Sequence, residues 1–117
     1  MDLSLESKTV SEQTVLAVGG ELDTYTAPTL RDRLADLQES GTNTVVIDLS
    51  GVDFLDSTGL GVLVASLERA KQLGGALPLV CAEERILRLF RITGLDAVFT
   101  ICQTVDDAIK SVTPHTG

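Results

Sequence analysis

The stretch Asp53-Phe54-Leu55-Asp56-Ser57-Thr58-Gly59-Leu60-Gly61 brings two carboxylates, two hydroxyls and two glycines into nine residues. A hydroxyl can attack an acyl or phosphoryl group, or can itself accept a phosphoryl group. A carboxylate can take a proton, hold a cation or cap a helix. Each of these chemistries needs a particular partner, so the rest of the chain decides among them. A serine nucleophile needs a base, usually histidine. The sole histidine, His115, lies in the terminal stretch Thr113-Pro114-His115-Thr116-Gly117, with no neighbours to tune it. A phosphate-cradling G-x-x-x-x-G-K-[ST] loop needs a lysine, and none follows Gly59 or Gly61.

A phospho-aspartate receiver carries an acidic pair after its first strand and a lysine after a late one. Glu21 and Asp23 imitate the pair, but Leu79-Val80-Cys81-Ala82-Glu83-Glu84 supplies no lysine. The enzymatic readings all lack a partner residue. The chain is therefore expected to have no catalytic residue, no metal and no cofactor.

Being modified asks for less than doing chemistry. An exposed hydroxyl is enough, and a phosphate there adds about −1.5 to −2 charges. Ser57 is the candidate. An ordinary helix cap, worth about 1 kcal/mol, explains an Asp or Ser before a helix equally well. It does not explain Gly59 and Gly61, because glycine inside a helix costs up to about 1 kcal/mol relative to alanine. Their small bulk would let another molecule approach the backbone. A helix N-terminus favours a phosphate through its dipole, while Asp56 and Asp23 would oppose one by repulsion. The expected partner-binding set is Asp23, Asp56, Ser57, Thr58, Gly59 and Gly61. Glu68 and Arg69, on the helix that follows, are further candidates, although charges on a solvated helix face explain them as well.

Composition narrows the partner. The chain has 117 residues, 44% of them apolar and 22% charged, with a net charge of −8. That size and mixture suit one domain with its own core. Nucleic-acid affinity comes from Lys and Arg neutralising phosphates, and single-strand binders add aromatic stacking. This chain is acidic, has only Tyr25, Phe54, Phe90 and Phe99 as aromatics, and so fits neither nucleic acid nor an anionic membrane surface. A protein with a basic face remains. Met1-Asp2-Leu3-Ser4-Leu5 has no basic-then-apolar signal pattern, and the run Leu60 to Leu67 is too short to span a bilayer. The expected location is cytoplasmic. Cys81 and Cys102 form no C-x-x-C motif and read as small buried hydrophobes.

The elements that must position Ser57 follow from periodicity. Residues 3–9 and 14–19 predict strands. Thr26-Ala27-Pro28 starts a helix with apolar positions Leu30, Leu34 and Leu37, ending at Gly41. The β-branched run 44–49 predicts a central strand, followed by a loop through Asp53. A second helix starts near Ser57 with the stripe Leu60, Leu63, Val64 and Leu67, and stops at Gly74-Gly75. A strand at 77–82, a helix at 84–92, a strand at 97–101 and a helix at 105–112 follow, the last with a Thr104/Asp107 capping box. The order β-β-α-β-α-β-α-β-α predicts an α/β domain over residues 1–112: a mixed, mostly parallel sheet of about five strands with about four helices, and a tail at 113–117. Parallel strands at 14–19 and 44–49 place Glu21-Leu22-Asp23 and Asp53–Ser57 on one sheet edge.

Several segments together resemble the bacterial anti-sigma factor antagonists, which are single STAS domains. They are Glu21-Leu22-Asp23, Val46-Ile47-Asp48-Leu49-Ser50-Gly51-Val52, Asp56-Ser57-Thr58-Gly59-Leu60-Gly61-Val62-Leu63, and Ile92-Thr93-Gly94-Leu95 with Val98-Phe99. The resemblance implies a STAS fold and a partner-switching role. The unphosphorylated protein would bind an anti-sigma factor serine kinase and so release a sigma factor. The kinase would phosphorylate Ser57, and a metal-dependent serine phosphatase would restore it. Asp23 matches the family's acidic residue beside that serine, and Thr58 its neighbouring hydroxyl. The alternative is a STAS scaffold or transporter accessory domain that is never phosphorylated.

Overall fold

The computed structural model describes residues 2–113. The elements are β1 (Leu3–Val10), β2 (Gln13–Leu22), α1 (Ala27–Glu39), β3 (Val45–Leu55), α2 (Ser57–Gln72), β4 (Leu79–Val80), α3 (Glu84–Ile92), a 3-10 turn (Leu95–Ala97), β5 (Ile101–Cys102) and α4 (Val105–Val112). The sheet order is β1-β2-β3-β4-β5, with β1 antiparallel to β2 and every other neighbour parallel. This is the α/β order and the mixed, mostly parallel five-stranded sheet expected from the sequence. Of the expected tail at 113–117, residues 114–117 lie outside the described residues, and His115 with them.

One face of the sheet carries the main core. Leu16, Val18 and Leu22 of β2 and Ile47 and Leu49 of β3 pack with Leu30 and Leu34 of α1, Leu60, Leu63 and Leu67 of α2, and Ile86 and Phe90 of α3. Strand residues of opposite parity face the other way: Val15, Val46 and Val80 form a smaller cluster with Ala108 and Ile109 of α4. β3 is central and buried on both faces, which accounts for its unbroken apolar start. Phe90 and Phe99 meet edge to face at 5.8 Å. Of the two cysteines, Cys81 is buried and Cys102 half-buried; both are free thiols pushed upward in pKa by burial.

Three expectations need correction. β3 continues to Leu55, so Asp53 and Phe54 are strand residues rather than loop. Its ladder with β2 survives two register shifts, and Gly19 lies opposite Gly51. A Cβ on Gly51 would sit 3.2 Å from the Gly19 Cα, so the glycines permit that close passage. The strand expected at 77–82 pairs only at Leu79–Val80, because Pro78 offers a carbonyl to the Ile47 N–H but has no N–H to return. At 97–101 only Ile101 is strand. Gly94 (φ 74°) starts the 3-10 turn instead, and Phe99 is drawn down onto Phe90.

Candidate functional site

The last pair of the β2–β3 ladder is Leu22 opposite Leu55, and the Asp56 N–H donates to the Leu22 carbonyl at 3.2 Å. Parallel pairing therefore carries both strand ends to one point, and the β2–α1 loop abuts the start of α2. Asp56 is extended (φ −110°, ψ −176°), and its Oδ1 accepts from the N–H groups of Thr58 (2.9 Å) and Gly59 (3.1 Å). It caps the helix, satisfying two amides that have no intrahelical partner. Ser57 is then the first helical residue. It is exposed, and no hydrogen bond ties its hydroxyl to another described residue. Thr58 is exposed too, with its Oγ1 3.3 Å from that of Thr24 across the junction.

The two glycines serve different ends. A Cβ on Gly59 would lie 2.7 Å from Leu55 Cδ1, 2.8 Å from Leu22 Cγ and 3.0 Å from the Leu22 carbonyl oxygen. Gly59 is buried, and what approaches its backbone is the chain's own strand ends. That corrects the expectation that Gly59 leaves room for another molecule. Gly61 is exposed, with nothing within 4 Å of its Cβ position, and it does leave such room.

Asp23 also departs from a solvent-facing acid, being only 5% exposed. Its Oδ1 accepts from the N–H groups of Tyr25 (2.9 Å) and Thr26 (3.0 Å), and its own N–H donates to the Thr26 hydroxyl oxygen (2.9 Å). The Thr26 hydroxyl in turn donates to the Glu21 carbonyl at 2.7 Å. Burial pushes the Asp23 carboxyl upward in pKa. The Thr26 and Tyr25 amides and the Thr26 hydroxyl outweigh it and hold the group below the ordinary carboxylate range. Asp23 is thus an ionised brace of the loop beside Ser57, and its second oxygen is buried without a hydrogen-bond partner among the described residues.

Two aromatics flank this junction that residue type alone did not single out. Tyr25, 84% exposed, rides on the β2–α1 loop, and Phe54, 48% exposed, is the next-to-last residue of β3. The available signal was economy: a chain with four aromatics keeps Phe90 and Phe99 inside and leaves one on each of the two segments that meet at Ser57. Arg85 donates from Nη2 to the Asp53 carbonyl (2.8 Å), tying the start of α3 to the same edge. Glu68 and Arg69 are exposed on α2; Arg69 borders a shallow groove with Arg31, Asp32, Ala35 and Ala65. Among the described residues no cluster of three His, Cys, Asp or Glu could hold a metal ion, and no helix is long and apolar enough to cross a membrane. What the junction presents outward is a free serine hydroxyl amid acids, a threonine, an open glycine and two aromatics.

Residues 4–108 match the family described as STAS domain. The chain belongs to the STAS domain family. Its relatives include the anti-sigma-B factor antagonist of Bacillus subtilis (strain 168), 40% identical over 110 residues that span 94% of this chain and all of that one. The anti-sigma-B factor antagonist of Staphylococcus aureus (strain NCTC 8325 / PS 47) is likewise 40% identical, over 81% of this chain and 88% of its own. Among solved structures, an anti-sigma factor antagonist from Mycobacterium paratuberculosis superposes with a TM-score of 0.87 at 32% identity, covering 95% of this STAS chain and 94% of its own.

Proposed function

We propose that this STAS protein is an anti-sigma factor antagonist: a binding module rather than an enzyme, acting in the cytoplasm, switched by phosphorylation of Ser57. In the unphosphorylated form it binds an anti-sigma factor serine kinase and so frees a sigma factor. The kinase transfers a phosphoryl group from ATP to the Ser57 hydroxyl, which ends the complex, and a metal-dependent serine phosphatase reverses the transfer. The names of its 40% identical relatives support the antagonist role. The observation that carries the switch is the contrast at the start of α2: Ser57 is exposed with a free hydroxyl, while the Asp56 and Gly59 beside it are committed to the fold.

Asp56 also decides what a phosphate there would do. Its Oδ1 already occupies the Thr58 and Gly59 amides, the groups a phosphate at a helix N-terminus would otherwise take. The new dianion therefore stays outward, beside the Asp56 carboxylate that caps the helix. It leaves the fold intact and changes the charge of the surface a partner reads. Ser57, Thr58, Gly61, Tyr25 and Phe54 form the contact face, and Asp23, Asp56 and Gly59 hold it in shape.

The test is incubation with the cognate anti-sigma kinase and ATP, followed by intact-mass measurement and mapping of the modified residue. One phosphoryl group on Ser57 is expected. Ser57→Ala should bind the kinase persistently and Ser57→Asp poorly. Equal affinity of the two variants, or modification at another residue, overturns the reading.

A further inference from the structure

We propose that β1 is a self-association edge through which two copies of this chain join their sheets, in an antiparallel register centred on Ser7. β1 ends the sheet, with no strand beyond it among the described residues. It is eight residues long and pairs with β2 from Leu3↔Gly20 to Val10↔Gln13 without a bulge or a proline. Native edges are usually blunted by such features, and a long regular edge is a template for another strand.

The backbone shows which groups are on offer. The Glu21 N–H donates to the Asp2 carbonyl at 3.0 Å, so this pair is a hydrogen-bonded one. Bonding alternates along an antiparallel ladder. Even-numbered residues of β1 therefore turn their N–H and C=O groups to β2, and Leu3, Leu5, Ser7 and Thr9 turn theirs to the open edge.

Charge then selects the occupant and the register. Glu6 and Lys8 are both exposed and lie on the same face of β1, the face opposite the main core. A two-fold axis at Ser7 sets Glu6 of each copy directly opposite Lys8 of the other. Moving the axis to Glu6 or to Lys8 sets like charges opposite each other, which is destabilising. Lysine on an edge strand normally deters pairing. Here a second copy of the same strand answers it. The register also brings the two Arg33 side chains, each 3.3 Å from a Ser7 hydroxyl, to either side of the axis on the helix side. That like-charge pair keeps the contact weak and dependent on concentration.

The test is sedimentation equilibrium of the full chain from micromolar to millimolar concentration. The wild type should shift from monomer to dimer, and an unchanged monomer at millimolar concentration overturns the proposal. Lys8→Glu and Glu6→Lys should each weaken self-association by about tenfold, as two opposite-charge pairs become like-charge pairs. Mixing the two single variants, or combining both in one chain, should restore association. Single variants that associate like the wild type, or a mixture that fails to recover, overturn the Ser7 register. Both side chains are exposed, and far-UV circular dichroism of each variant checks that the fold is kept.

Discussion

Two loops of this protein use the same device to opposite ends. At the end of β2, Asp23-Thr24-Tyr25-Thr26 turns into α1; at the end of the neighbouring β3, Asp56-Ser57-Thr58-Gly59 turns into α2. In both, the aspartate Oδ1 accepts from the amides two and three residues on. The fourth residue separates them. Thr26 is buried and closes its hydroxyl on the Glu21 carbonyl, so the first loop is braced from inside. Gly59 has no side chain, and the second loop drops its helix directly onto Leu22 and Leu55. The hydroxyl after each aspartate follows suit: that of Thr24 lies within reach of Thr58, while that of Ser57 has no hydrogen-bond partner among the described residues. One loop is a support, and the other leaves a hydroxyl exposed.

The largest way to break that contrast is to move the hydroxyl. Ser57→Ala should abolish phosphoryl transfer by the cognate kinase, and Thr24→Ala should leave it within a few-fold of wild type; equal loss in both would erase the distinction. Next is Gly59→Thr, which gives the second loop the fourth residue of the first. Its Cβ meets Leu22 and Leu55, and overpacking of this kind costs about 1–3 kcal/mol, readable by urea denaturation. Asp56→Ala removes a half-exposed cap and should cost about 1 kcal/mol in the same assay.

The acid limb of the stability curve reports on the braced loop through Asp23. Asp23 titrates below its ordinary range when folded, so its contribution is present above the unfolded carboxylate pKa of about 3.9. That contribution is lost as pH falls through the folded value. Wild type should therefore lose stability below about pH 4 more steeply than Asp23→Asn does. The smallest effect is that of Thr24→Val: the exposed Thr24–Thr58 contact should be worth under about 0.5 kcal/mol.

Much of this was legible in the chain. The helix that begins at Ala27 emerged from Pro28 and the spacing of Leu30, Leu34 and Leu37, and the Thr104 cap from its Asp107 partner, whose N–H donates to the Thr104 hydroxyl at 3.1 Å. The short strands were not legible. Leu79–Val80 and Ile101–Cys102 are strands only because neighbours pair with them, and two residues carry no period. Asp23 and Gly59 were found at the right place and given the wrong surroundings, since residue type does not reveal which side of a loop faces inward.

The sequence by itself determined that an acidic α/β chain would set Ser57 at a helix start, because caps, breakers and periodicity act over three or four residues. Only the tertiary structure decided that Asp23 is buried, that Gly59 serves the strand ends and that the Ser57 hydroxyl is left exposed with no hydrogen-bond partner among the described residues. Those outcomes depend on Leu22 meeting Leu55 across 33 residues of chain, a parallel contact whose effect on neighbouring side chains no local pattern encodes.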